Sequence, residues 1–176
     1  KNVSIASPGA FLKAKNISLQ SPYTIPTIVY SAATVSLPVM QYNTTSTSGL
    51  ANANVPNGST ITISGNRKNI TIGKNCTVTL TGSIFGNISI GEKSNVLFTQ
   101  PALNISSIDM EEGSNSSPTR LRFSSDAIVR CSGDITVRKK SVINPENFKV
   151  IIYLGKSNSS ADFTVGDGGN ITVNVS

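Results

Sequence analysis

The side chains most densely patterned for chemistry are asparagine carboxamides. Of eighteen asparagines, twelve open an Asn-x-Ser/Thr triplet with x other than Pro: Asn2, Asn16, Asn43, Asn57, Asn69, Asn75, Asn87, Asn104, Asn115, Asn158, Asn170 and Asn174. Ser and Thr make up about a quarter of the chain, so composition alone would give roughly four or five such triplets under the simple acceptor rule. Each triplet is an acceptor for an N-linked glycan, and dense occupancy would place the chain at the cell surface or outside the cell. Turns and sheet surfaces favour Asn, Ser and Thr for their own reasons, which raises the count without any glycan.

Catalytic chemistry is thinly supplied. The chain has no His and only nine carboxylates, whereas sugar-cleaving sites need clustered acids and a proton acceptor. Asp126 with Arg130 and Asp134 with Arg138 could be brought together if coils stacked, but exposed ion pairs at strand ends are the simpler reading. Asp109-Met110-Glu111-Glu112 reads as a solvated loop, and Gly166-Asp167-Gly168-Gly169-Asn170 as a tight turn rather than a stacked calcium repeat. Arg122, Arg130 and Arg138 recur every eighth residue, and three strands per coil would put them on three different faces. With no aromatic partners beside them, they make no nucleic-acid surface. Thr60-x-Thr62 and Thr77-x-Thr79-x-Thr81 make short outward hydroxyl rows, as expected of strands rich in Thr. No metal or other cofactor is expected.

Cys76 and Cys131 share parity with apolar neighbours, Cys76 with Val78 and Leu80 and Cys131 with Val129. Both therefore face inward, either as one disulfide joining distant parts of the sheet or as two buried small apolar residues. Charged residues are only 14% of the chain, and the net charge of +6 reflects few acids more than many bases. Such a composition suits a secreted all-β surface protein better than a cytosolic enzyme. No charged-then-apolar leader follows Lys1 and no apolar run is long enough to cross a bilayer. An exported chain would have lost its signal or carried it outside these residues.

The elements that must position these groups are short strands. Six triplets share the form Asn, apolar, Ser or Thr, apolar, as in Asn69-Ile70-Thr71-Ile72 and Asn87-Ile88-Ser89-Ile90. Period two turns the apolar pair inward and the hydroxyl outward, with the Asn expected at the turn before each strand. Pairs such as Ile70/Ile72, Val78/Leu80, Ile88/Ile90, Val96/Phe98, Ala127/Val129 and Ile135/Val137 continue the pattern, most often eight to ten residues apart, and no helical period competes. Gly-Asn corners at Gly65-Asn66, Gly73-Lys74-Asn75, Gly86-Asn87 and Gly169-Asn170 supply left-handed backbone for bends. The pattern predicts an all-β chain folded as one right-handed parallel β-helix, a β-solenoid with three short strands per coil. The alternative is a β-sandwich, which usually has longer strands and more Asn-Gly hairpins than the single Asn57-Gly58 present here. Residues 1–21 read as coil pieces, 22–56 as an irregular arm holding Pro22, Pro26, Pro38 and Pro56, and 57–176 as regular coils.

The segment Ser59 to Phe98, with its repeated Gly-Asn-Ile-Ser/Thr-Ile-Gly phrasing, resembles extracellular right-handed β-helix domains of prokaryotic surface and pilus-associated proteins, archaeal or bacterial. The resemblance implies a fold and a surface location and transfers no catalytic residue. Solenoid ends leave unpaired strand edges that something must cover. The expected partner is another copy, joined head to tail through strands such as Ile25, Ile28 and Tyr30 or Ile171, Val173 and Val175. On this reading the chain is a non-enzymatic, N-glycosylated subunit of an extracellular filament or surface layer. Alternatives are an adhesive or glycan-binding domain of a larger surface protein, and a carbohydrate-active β-helix enzyme.

Overall fold

Alternation of inward apolar and outward polar residues fixes which face of each strand is buried, and stacking such strands in parallel buries every inward row on the next. A computed structural model describes residues 45–155, 161–167 and 170–171; across them the chain is all-β, with no helix, and winds as a parallel β-solenoid of about five turns. The first level holds β1 (Ala53–Val55) and β2 (Thr60–Ile63), the second β3 (Arg67–Ile72) and β4 (Thr77–Leu80), and the third β5 (Ile84–Ile90) and β6 (Asn95–Phe98). The fourth holds β7 (Ala102–Met110) and β8 (Thr119–Phe123), and the fifth β9 (Ala127–Cys131), β10 (Ile135–Val137) and β11 (Ser141–Ile143). The last holds β12 (Val150–Leu154), β13 (Phe163–Val165) and β14 (Asn170–Ile171). Every ladder among the described strands is parallel, which rules out an antiparallel sandwich.

Three faces are present, but they separate only as the coil widens. Residues one level apart are 17 apart at Asn57 and Lys74, 18 at Asn69 and Asn87, 20 at Asn87 and Ser107, and 28 at Asp134 and Asp162. In the narrow levels one strand runs through the first corner. The early part of β7 pairs with β9 and its late part with β10, so the next level breaks at Ser132-Gly133-Asp134 into the two strands that β7 joins. The expected three strands per coil therefore hold for the last two levels. Regular pairing also begins earlier than expected, because Ala53–Val55, inside the predicted arm, pairs with Ile70–Ile72; residues 22–44 of that arm lie outside the described residues.

The core consists of columns. Ile70, Ile88, Ile108 and Ile135 stack in register, as do Ile72, Ile90, Met110 and Val137, and none is more than 3% exposed. On the face formed by β4, β6, β8 and β11, Val78, Val96, Leu121 and Ile143 make an equivalent column. Phe98 bridges Phe85 and Phe123, each ring centroid 5.8 Å from its neighbour, a spacing at which tilted aromatic pairs attract beyond their buried area. Gly86 sits where β5 bends: a Cβ there would lie 1.6 Å from the Lys68 carbonyl oxygen, so only glycine lets the levels close at that corner.

Inward and outward positions should respond oppositely to charge. Ile88→Asp places an unpaired carboxylate in an apolar column and should cost several kcal/mol, enough to unfold the domain. Ser89→Asp, one residue along on the outer surface, should shift the thermal midpoint by only a few degrees. Far-UV circular dichroism against temperature measures both, and similar behaviour of the two variants would reverse the facing assigned here.

Candidate functional site

At a solenoid corner the strand ladder lapses and backbone donors need other acceptors. Side-chain oxygens of Asn, Asp, Ser and Thr supply them. Along the first bend, Asn69 Oδ1 accepts from the Asn87 N–H at 3.3 Å, Asn87 Oδ1 accepts from Ser107 Oγ at 2.9 Å, and Asp134 Oδ1 accepts from the Asp162 N–H at 3.0 Å. At another corner, Asn66 Oδ1 accepts from the N–H groups of Ser83 and Ile84, both at 3.0 Å, and Asp126 Oδ1 from that of Lys149 at 2.9 Å. At the third, Asn57 Oδ1 accepts from the Lys74 N–H at 2.8 Å. Asp126 and Asp134 are therefore corner caps. Arg138 turns instead to Asp109, donating from Nε at 3.2 Å and Nη2 at 3.0 Å, and lies 3.8 Å from Glu111.

The glycan acceptors divide by this geometry. Asn57 and Asn75 are exposed on turns, Asn75 with a left-handed φ of 55°, and Asn115 is exposed in the loop between β7 and β8. Asn69, Asn87 and Asn104 lie inside β3, β5 and β7 rather than ahead of them, because those strands continue through the bend. A backbone N–H must meet the amide oxygen, so the nitrogen of Asn57 and of Asn69, the atom a glycan would take, has no hydrogen-bond partner among the described residues. Asn69 and Asn87 face each other across adjacent strands. Asn170 is placed by its backbone in β14, and Asn2, Asn16, Asn43, Asn158 and Asn174 lie outside the described residues.

Both cysteines are buried free thiols, so the disulfide alternative is not realised. Cys76 precedes β4 on the second level and Cys131 ends β9 on the fifth; three strand spacings separate those levels, about 14 Å, well beyond disulfide reach. Cys76 belongs to a buried polar column that sequence parity did not reveal. Register aligns it with Ser94, Thr119 and Ser141, all at most 1% exposed. Ser94 Oγ accepts from the Cys76 N–H at 2.9 Å and donates to Gly73 O at 2.8 Å, and Thr119 Oγ1 accepts from the Lys93 N–H at 2.8 Å. Cys76 Sγ donates to Pro56 O at 3.1 Å and so takes the place of a hydroxyl. Burial pushes the Cys131 thiol up to about 11, a backbone hydrogen bond with Gly133 partly opposing it.

The arginines spaced by eight fall on three faces, in β8, in β9 and just after β10, as three strands per coil requires. Thr60 and Thr62 stack on Thr77 and Thr79, but the next level places Asn95 and Leu97 there, so the hydroxyl array is two levels deep. Beyond it a shallow groove of about 260 Å³ opens, lined by Asn95, Arg120, Arg122, Pro145 and Glu146. Arg122 Nε donates to Glu146 Oε1. Glu146 rides on a turn held by Asn144, whose Nδ2 donates to Phe148 O at 2.8 Å and whose Oδ1 accepts from the Phe148 N–H at 3.2 Å. No cluster of three or more potential metal ligands occurs among the described residues.

No protein family, curated protein or solved structure matches the chain. The sites stand on geometry alone.

Two outcomes follow for the buried polar column and the thiols. Cys76→Ser should leave stability within about 1 kcal/mol of the parent, whereas Thr119→Val, which strips the Lys93 N–H of its acceptor, should cost about 1–3 kcal/mol in urea unfolding. Because the folded Cys131 thiol holds its proton above the unfolded value of 9.0, its contribution is complete below pH 9.0 and is lost as pH climbs toward about 11. At pH 8 a thiol reagent should label neither cysteine in the native protein and both in denaturant.

Proposed function

We propose that this chain is a non-enzymatic structural subunit of an extracellular, N-glycosylated filament or surface layer, built by head-to-tail stacking of solenoid ends. The observation that carries the reading is the state of the core at both ends of the described coils. Ile61 is 39% exposed although its register partner Val78 is fully buried, and Val165 is 43% exposed although its partner Val137 is fully buried. Inward-facing apolar side chains left open on a parallel stack match the next level of another copy, whose strands would continue both the hydrogen-bond ladder and the apolar columns. A contact between unlike ends propagates rather than closing on itself.

The two ends differ in circumference, and that shapes the proposed contact. Among the described residues, the first level has no strand on the face that β12 occupies at the other end. A narrow end seated on a wide one would leave the outer edge of β12 to be covered by something else, and an added strand is the simplest cover. Ile25, Ile28 and Tyr30 are the sequence's candidates for that strand; with Val173 and Val175 they lie outside the described residues, and Ile171 is placed by its backbone beside Ile143.

The glycan part of the proposal is supported by exposed acceptors on turns and by the Asn57 and Asn69 amide nitrogens, which make no hydrogen bond among the described residues. Intact mass of the native protein should exceed the 18.4 kDa polypeptide by several glycans, with Asn57, Asn75 and Asn115 occupied. Asn69 and Asn87, one strand spacing of about 4.8 Å apart, should not both be occupied on one molecule. An unmodified native mass overturns the glycan reading.

Assembly has its own test. The purified chain should form elongated particles in electron micrographs as concentration rises. Ile61→Lys or Val165→Lys should give a folded monomer by sedimentation, since each places a charge in the contact and little in the body of the core. A parent chain that stays monomeric, or lysine variants that polymerise like the parent, would overturn the filament reading.

A further inference from the structure

We infer that the groove beside β8 is a saccharide site that takes one sugar unit through vicinal hydroxyls and prefers a uronate to a neutral hexose. Two buried side-chain acceptors have no partner among the described residues, Asn95 Oδ1 and Glu146 Oε2, and both belong to residues lining this one groove. Buried polar atoms are nearly always paired, and an exception calls for a missing partner. The partner must donate, and the pair of acceptors asks for two donors on one small molecule. Adjacent hydroxyls on a pyranose have that form.

The remaining groups select among donors. Arg120 stands directly over Asn95 in register and its guanidinium makes no hydrogen bond or ion pair with the described residues, while Arg122 is committed to Glu146. Arg120 is thus the side chain free to swing, which opens the two sequestered acceptors and brings its own donors to the ligand. Two guanidiniums and one carboxylate leave the groove with one net positive charge. A divalent cation would meet both guanidiniums, and a phosphate, although it carries one or two P–OH donors, would set its charged oxygens against the Glu146 carboxylate. A uronate satisfies every group: its carboxylate can take the Arg120 fork, and its hydroxyls the oxygens of Asn95 and Glu146. The site is pre-organised, because Asn144 clamps the turn that carries Glu146, which lowers the ordering cost of binding.

Titration of the isotopically labelled full-length chain with D-glucuronate, D-glucose, inorganic phosphate and Ca²⁺ separately, followed by amide and side-chain NMR shifts, tests the inference. Saturable shifts at Asn95, Arg120, Arg122 and Glu146 are expected with glucuronate, weaker ones with glucose, and none there with phosphate or Ca²⁺. Arg120→Ala and Glu146→Gln should each weaken glucuronate binding about tenfold, the usual size of a lost hydrogen bond to a charged group. Arg120→Lys, which keeps the charge but not the fork, should recover only part of the affinity. Circular dichroism of each variant should match the parent, since both side chains project outward. Absence of saccharide shifts at these residues, equal shifts with phosphate or Ca²⁺, or binding unchanged in both Arg120→Ala and Glu146→Gln would overturn it.

Discussion

Each level of a solenoid must hand its backbone donors to the level beside it, all the way round, including where the chain turns. On the flat faces the strand ladder does this without help from the side chains. At corners the peptide planes rotate away and the ladder lapses, and an unpaired buried N–H costs about as much as a lost hydrogen bond. The short polar residues at the corners of this chain are the answer to that constraint. Asn66 serves two backbone donors on the next level, Asp126 and Asp134 one each, and Asn57 and Asn69 one each. Where a corner is closed off from water the same task falls to Ser94 and Thr119.

That constraint explains why the acceptor count is so high and also why it is an ambiguous signal. Asn66, Asp126 and Asp134 occupy corner positions without opening a glycan triplet, so corners demand an Asx oxygen regardless of glycosylation. The Ser or Thr two residues later is the outward member of the following strand. Corner geometry and strand alternation together reproduce the triplet at Asn69 and Asn87. They do not account for Asn115, which sits in the loop after β7 with its side chain exposed, and such loop sites carry the glycan argument more cleanly than the strand sites do.

The core was legible because its signal is local. Alternation within five residues assigned Ile70, Ile72, Val78, Leu80, Ile88 and Ile90 inward, and all are at most 2% exposed. Features that depend on which residue stacks on which were not legible. The column of Cys76, Ser94, Thr119 and Ser141 joins residues from four levels whose spacing changes as the coil widens, so no fixed period marks it. Inward parity alone made Cys76 look like a small apolar residue or half of a disulfide. The groove has the same origin, since Asn95, Arg120 and Glu146 come from three levels and nothing near any one of them in sequence announces the others.

Widening along the chain ties these threads together. A coil that kept its first spacing would have no room for a separate β9 and β10 or for the loop after β7, and its faces would stay as plain as the Thr60/Thr77 array. Longer levels add backbone that must be turned, and each added turn brings polar side chains to the surface: Asn115 in one loop, Glu146 on another. Among the described residues, the narrow levels therefore present regular, hydroxyl-bearing faces and leave Ile61 partly exposed, while the wide levels add a strand face with no counterpart on the first level. Because the hydrogen-bond ladder forces strict stacking, such a fold gains new surface where a level is lengthened, and here the turn after β11 adds Glu146 to a groove whose Asn95 and Arg120 come from regular strands.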